Sequence, residues 1–182
     1  MATPPDFTAG QVLTAAQMNK VGLWLIKTQT IGTGVTTTTV TDVFSADYEN
    51  YRIIVAGGAS SANTGNNNMA ITLGATTTGY YQSALSYSYA GATAAITVNN
   101  GAAWLCGGQT TSGLNMILDL FRPFATDETF MSFSYSVMST TGYGLPGAGY
   151  LNNTTSYTAF TITSLATTTH TGGTVYVYGY RD

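Results

Sequence analysis

The sequence predicts an all-β protein: a single, jelly-roll-like β-sandwich over residues 23–182, preceded by a short segment, residues 1–22, that contains a brief helix. Three observations carry this expectation. Met131, Phe133, Tyr135 and Val137 alternate with Ser132, Ser134 and Ser136, the period of two that places apolar side chains on one face of a strand. Glycine and asparagine clusters break the chain at short intervals, with no helical pattern between them after Leu23. The 34 threonines supply a polar surface that favours extended backbone.

In chain order, Pro4 and Pro5 hold the start extended. Thr14 is a helix N-cap, and Gln17, three residues on, completes a capping box. Leu13 and Met18 stand at the two positions of a hydrophobic staple, and Gly22 ends the helix. About two turns of helix are not stable alone in water, so this segment is expected to dock. Phe7, Leu13, Thr14, Gln17 and Met18 are its candidate anchoring residues.

Strands are expected at Leu23–Ile31, Val35–Phe44, Tyr51–Ala56, Met69–Leu73, Tyr80–Tyr89, Ala94–Val98, Leu114–Phe121, Met131–Val137, Tyr157–Thr163 and Thr174–Arg181. Turns are expected at Gly57-Gly58, Asn63–Asn68, Asn99–Gly101, Gly107-Gly108, Pro146-Gly147, Asn152-Asn153 and Gly172-Gly173. The strand from Leu114 carries apolar side chains at both parities, including Ile117 and Phe121, and reads as covered on both faces. Asp42, Asp47, Glu49 and Arg52 form one charge cluster and Asp119, Arg122, Asp127 and Glu128 another. They read as two connections on a common rim.

Composition limits the function. Charged residues make up 7% of the chain, against roughly 25% for an ordinary soluble domain, while hydrophobic residues make up a normal 44%. A surface so poor in charge repels its own copies weakly, so much of it is expected to be buried against neighbours, most simply in a trimer or similar homo-oligomer. A net charge of −3 and five scattered basic residues argue against nucleic-acid binding. No stretch reads as a membrane-inserting helix, and the first residues do not read as a secretory signal.

Each catalytic class lacks parts. The lone His170 reads as a turn or interface histidine. With one distant cysteine, Cys106, it makes no transition-metal site, and Cys106 itself reads as a small buried hydrophobe. Asp119 with Asp127 or Glu128 is the best carboxylate pair, but it reads as strand-end charge. Neither glycine pair has the helix and lysine of a phosphate cradle. The expectation is a non-enzymatic protein with no cofactor. Aromatic stripes are its binding feature: Tyr81, Leu85, Tyr87 and Tyr89 on one strand face, and Tyr176, Tyr178 and Tyr180 on one face of the last strand, with Val175 and Val177 opposite. Tyrosine stripes serve subunit interfaces, and they also stack on sugar rings.

Several phrases together resemble small bacteriophage virion proteins of the tail-fibre and head-decoration type. They are Phe7-Thr8-Ala9-Gly10-Gln11-Val12-Leu13-Thr14-Ala15-Ala16-Gln17-Met18-Asn19, Tyr48-Glu49-Asn50-Tyr51-Arg52-Ile53, Leu73–Tyr81, Thr154–Ile162 and the closing Thr171–Tyr180. The resemblance covers both ends and the first third of the chain. It implies a trimerising β-sandwich in the virion, assembled in the host cytoplasm and attached to other virion proteins through residues 1–22. It implies no catalytic residues. The chain has no shaft of repeats or coiled coil, so the expected place is a fibre tip or a surface decoration. A host-surface glycan is the alternative partner, met through the tyrosine faces.

Overall fold

The computed structural model describes Gly10, Val12 and residues 22–63, 68–137 and 142–180. The expected N-terminal helix, and Phe7, Leu13, Thr14, Gln17 and Met18, lie outside the described residues. The described chain is all-β, as the alternation predicts. Its strands are β1 Leu23–Thr30, β2 Thr37–Val40, β3 Asn50–Gly57, β4 Ala59–Ser60, β5 Asn68–Leu73, β6 Tyr80–Ser88, β7 Thr93–Gly101, β8 Trp104–Thr110, β9 Gly113–Phe121, β10 Thr129–Ser136, β11 Tyr143–Leu151, β12 Phe160–Ser164, β13 His170–Thr171 and β14 Thr174–Tyr180.

Every pairing is antiparallel, and the strands form two layers. The larger runs β1-β14-β3-β9-β10-β11-β6-β7, and the smaller runs β2-β12-β5-β8. They join at β9, which pairs with β8 at Asn115 and with β10 from Ile117 onward. Asn115 makes the fork possible. Its backbone pairs with Gly108, while its side-chain amide donates to the Ser136 carbonyl at 2.6 Å and accepts from the Ser136 N–H at 2.7 Å. A side chain thus continues the β9–β10 ladder where the backbone has left it. Gln82 of β6 does the same across the layers, donating to the Leu105 carbonyl and accepting from the Leu105 N–H, both at 2.8 Å.

The core lies between the layers. Tyr51, Ile53 and Val55 from β3, Val175 and Val177 from β14, and the even-numbered residues Leu114 to Leu120 of β9 are buried. So are Met69, Ile71, Leu73, Phe160 and Ile162 of the smaller layer. Phe44 joins the two, edge-on to Tyr51 at 4.8 Å and stacked on Phe160 at 5.9 Å. Cys106 is wholly buried, its sulfur 3.9 Å from that of Met116, and burial pushes its thiol pKa up.

Four expectations are corrected. Gly107-Gly108 and Pro146-Gly147 lie inside β8 and β11 rather than in turns. The glycines are there because other groups cross close by: a Cβ on Gly108 would collide with the Ser136 carbonyl oxygen, and one on Gly147 with Phe133. The missing N–H of Pro146 sits where the β11–β6 register lapses, between Gly144 and Gly147. Asn99–Gly101 belongs to β7 and forms a bulge opposite Tyr80–Gln82, with Asn100 at φ 51°. Lastly, β9 is not covered on both faces: Ile117 is 45% exposed and Phe121 38%.

Candidate functional site

That uncovered face extends across the larger layer. Antiparallel register places Leu23, Tyr180, Asn50, Phe121, Phe130, Tyr150 and Tyr81 side by side in one row. The next row is Leu25, Tyr178, Arg52, Asp119, Ser132, Ala148 and Ser83, and the third holds Tyr176, Ile54, Ile117, Ser134 and Pro146. Residues paired across a sheet point to the same side, so the three rows share one surface. Leu25 is 55% exposed and Phe130 50%, and no element among the described residues lies over them.

One charge pair stands amid this face. Arg52 grips Asp119 with two hydrogen bonds, Nε to Oδ1 at 2.8 Å and Nη2 to Oδ2 at 2.7 Å. Tyr180 donates its hydroxyl to Asp119 Oδ1 at 2.6 Å, and the guanidinium lies 5.6 Å from the Tyr180 ring centroid. Partial burial works against the Asp119 charge, but the hydrogen bonds from Arg52 and Tyr180 outweigh it and hold the carboxyl below its usual range. Desolvation, with the Asp119 hydrogen bond, pushes the Tyr180 phenol up to about 12. The pair is therefore closed on itself and offers a partner no unmatched charge.

The expected rim cluster divides accordingly. Arg52 and Asp119 meet in mid-sheet, across β3 and β9. Arg122 pairs with Asp127 at 2.7 Å and with Glu49 at 3.4 Å at the strand ends. Those exposed rim pairs add little stability.

The sequence placed Tyr176, Tyr178 and Tyr180 on one face of the last strand, and they stand half-buried on the open face, opposite buried Val175 and Val177. Tyr81 and Tyr87 share that side of β6; Tyr87 is 50% exposed, and Tyr89, 62% exposed, lies in the turn after the strand. Tyr150 and Phe130 were not among the expected residues. Tyr81 and Tyr150 stack at 4.9 Å with planes 9° apart, and Phe130 continues the stack at 6.2 Å. The signal for Tyr150 was the alternation of Leu145, Gly147, Gly149 and Leu151 with Pro146, Ala148 and Tyr150, hidden because Pro-Gly reads as a turn. Beside the stack lies a shallow hollow of about 450 Å³, lined by Tyr81, Ser83, Val98, Asn99, Ala148 and Tyr150.

His170 is far from a turn surface. It is wholly buried in β13, and its Nε2 lies 2.7 Å from Gln109 Oε1. Gln109 Oε1 also accepts from Ser164 at 3.1 Å, and Ser164 meets Thr168 at 2.6 Å. Because that oxygen only accepts, the Nε2–H form is fixed, leaving buried Nδ1 without a partner. Burial pushes the His170 pKa down to about 4, so the imidazole is neutral at pH 7. The network is sealed from solvent and ties the end of β8 to the chain between β12 and β13. Among the described residues no three of His, Cys, Asp and Glu come together as metal ligands. The open face offers contact, and the one ion pair on it among the described residues is already satisfied.

No family model, no curated protein and no solved structure matches this chain.

Proposed function

We propose that the chain is a structural protein of a bacteriophage virion, an oligomeric and most simply trimeric β-sandwich at a tail-fibre tip or on the capsid or tail surface. The observation that carries the reading is the open face of the larger sheet. It spans six strands from β14 to β6, roughly 24 Å at the usual strand spacing, and exposes Phe130, Ile117 and Phe121 in a chain with 7% charged residues. A face of a few hundred Å² with exposed aromatic and aliphatic side chains is of the size that often marks a contact site, and a subunit would bury it against its neighbours. The phage assignment itself rests on the sequence phrases. Residues 1–22 are the proposed attachment segment to other virion proteins, and the role requires no catalysis and no cofactor. Quantitative mass spectrometry of purified particles tests the reading. The chain is expected at a fixed copy number, lost from particles when residues 1–19 are deleted from a chain that still folds. Its presence in infected cells but absence from particles would overturn the reading.

The tyrosine stack and the hollow beside it favour a second reading, a module that binds a host-surface glycan. Aromatic rings beside small polar residues suit the apolar face and hydroxyl edge of a sugar. Saturable binding on a carbohydrate array, abolished by Tyr81→Ala in a folded protein, would promote it.

A further inference from the structure

We infer that the free edge of β7 takes up the β7 strand of a second copy of this chain, in antiparallel register about Ile96. The inference rests on the oligomeric reading above and names one contact that builds the oligomer.

The two edges of the larger sheet differ. The edge at β1 is guarded: Lys27 donates to the Thr41 carbonyl at 2.6 Å and Gln29 to the Thr39 carbonyl at 2.9 Å, drawing β1 against the end of the smaller sheet. Among the described residues the edge at β7 has no such cover. β7 is nine residues long and pairs along its length only with β6, so one row of its backbone N–H and C=O groups meets nothing among the described residues. Natural edges are blunted by charge, proline or a covering segment. β7 carries no charge and no proline, no segment among the described residues covers it, and no charged residue occurs anywhere from Ile53 to Leu118.

A second observation comes from side chains. Ile96 and Val98 point inward yet remain half-exposed, and Ala94, on the same side, is exposed. On the other side of this hairpin Leu85 is 39% and Tyr87 50% exposed. The inward apolar side chains of β7, Ile96 and Val98, thus reach the margin of the core but are only partly covered by it, and the outward ones of β6 are exposed. A row of unpaired amides calls for an extended strand, the chemistry of strand addition.

The sequence of β7 suits a copy of itself. In antiparallel pairing about Ile96, the inner row sets Ile96 against Ile96 of the other copy and places Ala94 against Val98 twice, small against large. The outer row sets Ala95 against Thr97 twice. No like charges meet, and the Asn99–Asn100 bulge falls outside the paired stretch. This contact is two-fold, so it doubles whatever ring the open sheet face builds.

Mixed-cysteine cross-linking and sedimentation test the contact on the full chain. Ala95→Cys protein mixed with Thr97→Cys protein under mild oxidation is expected to give a disulfide-linked dimer, with far less from either variant alone; Cys106 is buried and does not compete. The double variant Ala95→Lys with Thr97→Lys changes only exposed positions and is expected to halve the mass of the assembly. An associated wild type that neither cross-links nor loses mass in the lysine variant overturns the β7 contact and leaves the oligomeric reading standing. A wild type that stays monomeric at micromolar concentration overturns both.

Discussion

At residue scale the most consequential side chain is His170, the chain's only histidine, held neutral against Gln109 in a sealed site. Its folded pKa of about 4 lies below the ordinary value of 6.5. Between those values the unfolded chain binds more protons than the folded one, so stability falls as pH falls through this window. The gap corresponds to about 3 kcal/mol once pH 4 is reached. Asp119 is shifted in the same direction, by its hydrogen bonds rather than by burial, and its contribution is lost only below pH 3.8, as pH falls through its folded pKa. The two windows therefore separate. Chemical denaturation from pH 7 to 4 is expected to show a progressive loss of stability. His170→Gln, which has no titrating ring, is expected to lower stability at pH 7 and flatten that slope. An unchanged slope in this variant would assign the pH dependence elsewhere.

At the scale of elements, glycines inside strands do what larger side chains do elsewhere: they set how closely strands and layers approach. On β11, Gly149 lies where a Cβ would collide with the Tyr81 carbonyl oxygen of β6, with Met131 Cε only 2.9 Å away. Gly149→Val is therefore expected to destabilise the protein by roughly 1–3 kcal/mol, through overpacking, and to disturb the Tyr81–Tyr150 stack. Urea denaturation and tyrosine fluorescence would read both, and a variant as stable as the wild type would show that the strands can part without cost. The same glycines explain what could be read in advance. The alternations in β10 and β14 came through because one face of each packs on apolar core, the condition under which a period of two becomes visible; in β9 the exposed Ile117 and Phe121 masked it. Those of β8 and β11 did not come through, because Gly107-Gly108 and Pro146-Gly147 carry the local signature of turns. Their reason for being in strands lies in residues distant in sequence: Met69 and Ser136 for one pair, Phe133 and Ala84 for the other. The tyrosines of β14 were legible for the same reason as its valines. The Arg52–Asp119 pair was not, because the β3–β9 register that unites them spans 67 residues of chain.

At the scale of the whole molecule, one sheet face builds the core and the other is left with aromatic and aliphatic side chains in rows. Three rows across six strands amount to roughly 500 Å², of the order of the ~800 Å² that each partner contributes to an ordinary specific interface. The one ion pair on the face is matched internally, so like copies can pack there without unpaired charge. Sequence anticipated this as a deficit of charge beside a normal apolar content, but it could not say which surface stays bare, since that depends on which face of β9 the smaller sheet covers. Sedimentation equilibrium on the wild type and on Ile117→Lys with Phe130→Lys, both exposed positions, tests the claim that this face holds subunits together. The wild type is expected as a concentration-stable oligomer at micromolar concentration, and the lysine variant as a folded protein of smaller mass. A monomeric wild type, or a lysine variant of unchanged mass, would contradict it.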